Sequence, residues 1–157
     1  MRPVRSLLTF KLGAVVGMAA AAAFVKRALP SRGDEESDEL ALVAIFDGIQ
    51  LTSRAQAFRG GSMFTWFGGI SVDLRGATLA PGARLTTSTL FGGIELKVPD
   101  GWRIESNVTV IAGGVDVPAE TDDPDAPVLT LDGTAVFGGI AVAAVGAPPP
   151  AAAPAGA

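Results

Sequence analysis

Glu95 and Asp116 are the one adjacent pair of carboxylates that a repeat register puts on a single face of this chain. Paired carboxylates are what glycoside hydrolysis uses, one as acid and the other as base or nucleophile. Little else in the 157 residues is reactive. There is no Cys and no His. That removes disulfides, thiolate ligands and Cys nucleophiles, and with them the usual general base and the commonest metal ligand. Tyr is absent as well. Two solvated strand acids on a short repeat with little concavity predict no catalytic residues, no cofactor and no metal site. Gly pairs recur, but none leads into Lys-Ser/Thr and a helix, so no phosphate loop is expected. Five acids within residues 34–39 lack the Gly-turned loop of a cation site and read as a solvated linker. Trp66 and Trp102 are expected in core or half-buried places rather than as carbohydrate platforms.

The register comes from a repeated phrase. Phe-Gly-Gly-Ile occurs at residues 67–70, 91–94 and 137–140, with degenerate copies at 46–49 (Phe-Asp-Gly-Ile) and 112–115 (Ala-Gly-Gly-Val). Successive copies are 21, 24, 21 and 25 residues apart, a period that marks a stacked repeat. After each Gly the chain alternates apolar and polar residues, as in Ile70-Ser71-Val72-Asp73-Leu74 and Ile94-Glu95-Leu96-Lys97-Val98. Period two means half-buried strands. The glycines read as structural corners: Gly48, Gly68, Gly69, Gly92, Gly93, Gly113, Gly114, Gly138 and Gly139. They supply positive φ and room for a neighbouring backbone. Phe before the pair and Ile after it are both expected to point inward.

The predicted fold is an all-β body, a short parallel β-helix of about five coils over residues 40–145. A sandwich of hairpins is the alternative. Coils stacked in sequence order predict outward rows Gln50, Ser71, Glu95, Asp116, Ala141 and Thr52, Asp73, Lys97, Pro118, Ala143. In the second row Asp73 and Lys97 would be neighbours and could pair. The inward register of Thr86-Thr87-Ser88-Thr89 is undetermined, because the run has no apolar contrast.

Charge is split along the chain. Residues 1–33 carry six basic residues and no acid, while residues 34–157 carry six basic and sixteen acidic ones, a balance of −10. An acidic body argues against nucleic acid as a partner. A basic head suits an anionic membrane surface. Leu7 to Val25 is apolar except for Thr9 and Lys11, and as a helix would span about 28 Å, close to the hydrocarbon thickness. With Lys26 and Arg27 this predicts one membrane helix over about residues 7–27, hence a single-pass protein of the cell membrane with its sidedness open. A cleaved signal peptide and a peripheral helix are the alternatives. Gly13, Gly17 and Ala21 make a small-residue face on that helix, which leaves a homo-oligomer open. Residues 146–157, an Ala/Pro tract, read as a disordered tail.

The body resembles the C-terminal domain of LiaF-like proteins, the family named for a cell wall-active antibiotics response. The resemblance rests on residues 66–74 (Trp-Phe-Gly-Gly-Ile-Ser-Val-Asp-Leu) and 90–102 (Leu-Phe-Gly-Gly-Ile-Glu-Leu-Lys-Val-Pro-Asp-Gly-Trp). It continues through residues 112–115, 127–131 (Pro-Val-Leu-Thr-Leu) and 136–140 (Val-Phe-Gly-Gly-Ile). It implies a membrane-linked modulator of bacterial cell-envelope stress signalling that acts by protein contact, with no catalytic residues to carry over. Typical members have several membrane helices before this domain, where this chain has one candidate. The expected function is a membrane-anchored, non-enzymatic interaction domain with a protein partner in the envelope. A self-assembling, bactofilin-like scaffold is the alternative.

Overall fold

Seven strands make up the body in a computed structural model that describes residues 31–146. They are β1 (Glu39–Ile45), β2 (Gly48–Thr52), β3 (Phe58–Trp66), β4 (Gly68–Asp73), β5 (Leu79–Pro99), β6 (Arg103–Asp116) and β7 (Val128–Val145). Every pairing between them is parallel. Hairpins would have paired antiparallel, so the sandwich alternative falls. The result is a parallel β-solenoid of about four turns, not five coils. The five copies of the corner phrase stack as five rungs, and five rungs span four intervals. The membrane helix expected over residues 7–27 and, apart from Gly146, the tail expected over residues 146–157 lie outside the described residues. Among the described residues, no helix is long and apolar enough to cross a membrane.

The rungs do not stack in sequence order. β1 with β2 forms the first, β3 with β4 the second and β5 the third. The next is β7, which pairs with β5 on one side and β6 on the other, leaving β6 at the end. After β5 the chain therefore skips a level, runs the end rung, and comes back through the loop of residues 117–127. Side chains pin this arrangement. Asp132 of β7 accepts from Arg84 of β5 (Nη1 to Oδ2, 2.7 Å) and from Asn107 of β6 (Nδ2 to Oδ1, 3.2 Å). Thr87 Oγ1 of β5 donates to the Asp132 carbonyl at 3.2 Å.

The core is the inner file of each rung. Leu42, Met63, Leu85 and Leu131 are buried before the corner, and Ile70, Ile94, Ile140, Val72, Leu96 and Val142 after it. Each rung buries this file only against its neighbours, which is why a single copy of the repeat has no stable fold of its own. In the Thr-rich run the inward residues are Thr87 and Thr89. The Thr87 hydroxyl is satisfied by the Asp132 carbonyl, whereas Thr89 Oγ1, like Thr65 Oγ1 on the rung before it, is buried without a hydrogen-bond partner among the described residues.

The β1 leg of the first rung is capped. Arg32 and Ala41 exchange two backbone hydrogen bonds (2.6 and 2.8 Å) in an antiparallel bridge on the outer edge of β1. Ser31 Oγ accepts from Val43 N at 3.0 Å on the same edge. The acidic run expected as a solvated linker closes the neighbouring loop. The Glu35 carbonyl accepts from Arg54 N, and Asp38 accepts from Arg59 N (2.7 Å) and Ala57 N (3.2 Å).

Candidate interaction surface

The corner builds a surface because its glycines line up. Gly68, Gly92, Gly138 and Gly113 form one column in register, and Gly48, Gly69, Gly93, Gly139 and Gly114 form the next. The two columns have different jobs. Gly92, Gly113 and Gly138 have φ of 139°, 145° and 151°, and a Cβ on any of them would run into the carbonyl of the rung beside it. The second glycines have no positive φ, and a Cβ there meets only ordinary or slightly tight contacts, 3.3–3.7 Å in the inner rungs. The positive φ expected of the Gly pair is supplied by its first member, and only in the later corners. In the first two corners the left-handed residue is the Phe itself, Phe46 (φ 52°) and Phe67 (φ 54°).

That turn moves the phenylalanines. Alternation along the strands points Phe67, Phe91 and Phe137 inward, as expected from the sequence, but alternation holds only while the backbone stays extended. At the left-handed corner the Phe emerges on the convex side. Phe46, Phe67, Phe91 and Phe137 are 50%, 38%, 37% and 50% exposed, while Ile70, Ile94 and Ile140 are buried. The four rings form one column. Centroids are 5.1, 4.6 and 5.0 Å apart and the planes lie within 4°, 13° and 5° of parallel. This spacing is the rung spacing of about 4.8 Å, so the backbone imposes the stack. The column ends at Phe137, because β6 offers Ala112 at the equivalent place. Stacking covers both ring faces of Phe67 and Phe91 and one face each of Phe46 and Phe137, so the file is a hydrophobic ridge that presents mainly ring edges.

Two residues along from the ridge runs an open groove of about 870 Å³. Its floor is the second glycine column, and its wall is the outward row. That row reads Gln50, Ser71, Glu95, Ala141, Asp116. Ala141 therefore separates Glu95 from Asp116, and the adjacent carboxylate pair expected from sequence order is not formed. The two acids stand two rungs, about 9–10 Å, apart. Both are exposed, and Glu95 Oε2 accepts from Ser71 Oγ at 3.2 Å.

The second row is corrected in the same way. Asp73 and Lys97 are register partners, but Asp73 is taken by Arg75. Arg75 Nη2 reaches Oδ2 at 2.6 Å, and its Nε reaches both carboxylate oxygens at 2.9 and 3.0 Å. The Arg75 side-chain hydrogen bonds hold the Asp73 carboxyl below the usual aspartate range, so it stays ionised and is no proton donor. Pro118 lies in the loop beyond β6 and joins no rung. Trp102 is buried and Trp66 half-buried, its ring tilted 6.3 Å from Phe67. Among the described residues, no cluster of three or more acids converges as a metal site would require. No family model, curated protein or solved structure matches the chain.

The ridge is the feature that sequence reasoning missed. Its signal was present: identical Phe at every rung predicts a stacked file. The sign of the file, inside or outside, is set by one φ angle per corner.

Proposed function

We propose that this chain is a membrane-anchored, non-enzymatic interaction domain of the bacterial envelope, a modulator of the cell-envelope stress response. The observation that carries the interaction reading is the Phe46–Phe67–Phe91–Phe137 ridge beside the glycine-floored groove. Large apolar side chains held in file on the outside of a small domain mark a contact surface. A protein partner with an apolar cleft suits a ridge of ring edges better than a small ligand does. The envelope-stress part of the reading rests on the motif resemblance, and the anchor on the apolar stretch of residues 7–25. The scaffold reading draws support from the open edge of β6, but the capped edge of β1 opposes growth end to end.

The test is photocrosslinked capture from envelope-stressed cells with the full chain and a Phe46→Ser/Phe137→Ser variant. These two rings are the most exposed of the four, so folding is expected to survive. A partner recovered by the wild type and lost by the folded variant is the expected result. An unchanged partner set would remove the ridge from the interface. Release of glycan products by the wild type, abolished by Glu95→Gln/Asp116→Asn, would overturn the non-enzymatic reading.

Deleting residues 1–30 is expected to move the protein into the soluble fraction with the β body still folded, since the described rungs and their cap begin at Ser31. If the truncated protein still sediments with membranes after a high-salt wash, the anchor lies elsewhere.

A further inference from the structure

We infer that the free edge of β6 is a self-association site, where two copies of this chain close a two-fold pair, end rung against end rung. The two ends of the solenoid are unlike. The outer edge of β1 is occupied by Ser31 and Arg32. β6 pairs with β7 alone, and its other edge has no strand partner among the described residues. Fourteen residues long, it presents a row of unpaired N–H and C=O groups. Natural edges are blunted by Lys, Pro, bulges or covering loops. β6 has no Lys and no Pro, and residues 106–115 carry no charge. The core is also open at this end. Val108 and Val115 are only half-buried, and Val110 and Ile111 are 36% and 67% exposed.

The corner says what kind of neighbour is missing. The Cβ directions of Gly69, Gly93 and Gly139 each point at the glycine carbonyl of the next rung, at 3.7, 3.6 and 3.3 Å. The same direction from Gly114, like that from Gly48 in the first corner, meets nothing within 4 Å, and at Gly114 no further rung lies beyond it among the described residues. The empty place is shaped for one more glycine-cornered rung, with no Cβ in the way and a bend to match. A straight strand pairs along one leg of β6 and parts from it at the bend; a cornered rung follows both. This chain is the source of such rungs, and at its other end Ser31 and Arg32 cover the β1 leg, so a head-to-tail rung could pair only along the five residues of β2. That leaves β6 against β6, which is isologous and stops at two. The two-fold axis crosses the corner, the strands run antiparallel, and Ala112 lies near its own symmetry mate. The end face of one narrow solenoid is a small interface, so the pair is expected to be concentration-dependent.

The native chain has no Cys, which makes single cysteines clean reporters. The test uses full-length protein in neutral detergent, with Ala112→Cys at the corner of β6, Gln50→Cys on the first rung, and Ile111→Lys, which puts a charge on the free edge. Light scattering should show wild-type mass rising toward the dimer with concentration. Ile111→Lys should remain monomeric with an unchanged melting temperature. Oxidation should cross-link Ala112→Cys into dimers well above the Gln50→Cys background. A wild type that is monomeric throughout the range would overturn the proposal. So would a dimer that survives Ile111→Lys together with no excess cross-linking at residue 112, the pattern of association through residues 1–30. Open filaments would overturn the closed pair.

Discussion

Replacing Gly92 by Val is expected to destabilise the body by about 3–4 kcal/mol, whereas Gly93→Ala is expected to cost less than about 1 kcal/mol. The two glycines are neighbours in one phrase, and sequence alone treats them as equals. In the fold they differ. Gly92 has φ of 139° and sits where a Cβ would strike the Gly68 carbonyl. Valine adds both left-handed strain and a collision with a backbone that has little freedom to retreat, because that carbonyl belongs to the rung beneath. Gly93 has no positive φ, and its Cβ would meet the Gly139 carbonyl at an ordinary 3.6 Å. Thermal and urea unfolding of both variants measure the difference. Equal losses would mean that the corner does not distribute its constraints as described.

Leu131→Ala is expected to cost about 2–5 kcal/mol, the range for a buried leucine cut back to a methyl. Leu131 is fully buried and lies between Leu85 of β5 and Ser106 of β6 in register. Its position in the stack adds a second, more specific expectation. β6 is held by β7 alone, so loosening β7 loosens β6 with it. Hydrogen exchange in the variant should show β6 losing protection along with β7, while β1 and β3 keep more of theirs. Stacking in sequence order would predict something else: β6 would pair directly with β5 and outlast β7. Retained protection of β6 amides with β7 amides exposed would therefore contradict the inserted position of β7.

Much of the fold was legible in the residues. Five copies of one phrase at 21–25 residue steps, each followed by an alternating segment, favour parallel rungs in register over a sandwich of hairpins. The glycine columns and the inward Ile70, Ile94 and Ile140 follow from that alone. The surface was legible only in part. Its members, the phenylalanines and the outward row, could be named from the repeat. Their arrangement could not.

The sequence by itself determined that this chain repeats, that its strands are half-buried, and that it has no His, Cys or Tyr with which to build common catalytic sites. These are local properties, carried by composition and period. Tertiary structure decided two things. One is the order of the rungs. Near-identical rungs are interchangeable as far as the phrase is concerned, and in the fold β7 lies between β5 and β6, with Asp132 bridging Arg84 and Asn107 across the three rungs. That order separates Glu95 from Asp116 and leaves β6 as the free edge. The other is the face on which the aromatic file emerges. Period-two patterning assigns faces only along extended backbone, and a left-handed residue at each corner turns Phe46, Phe67, Phe91 and Phe137 out into solvent.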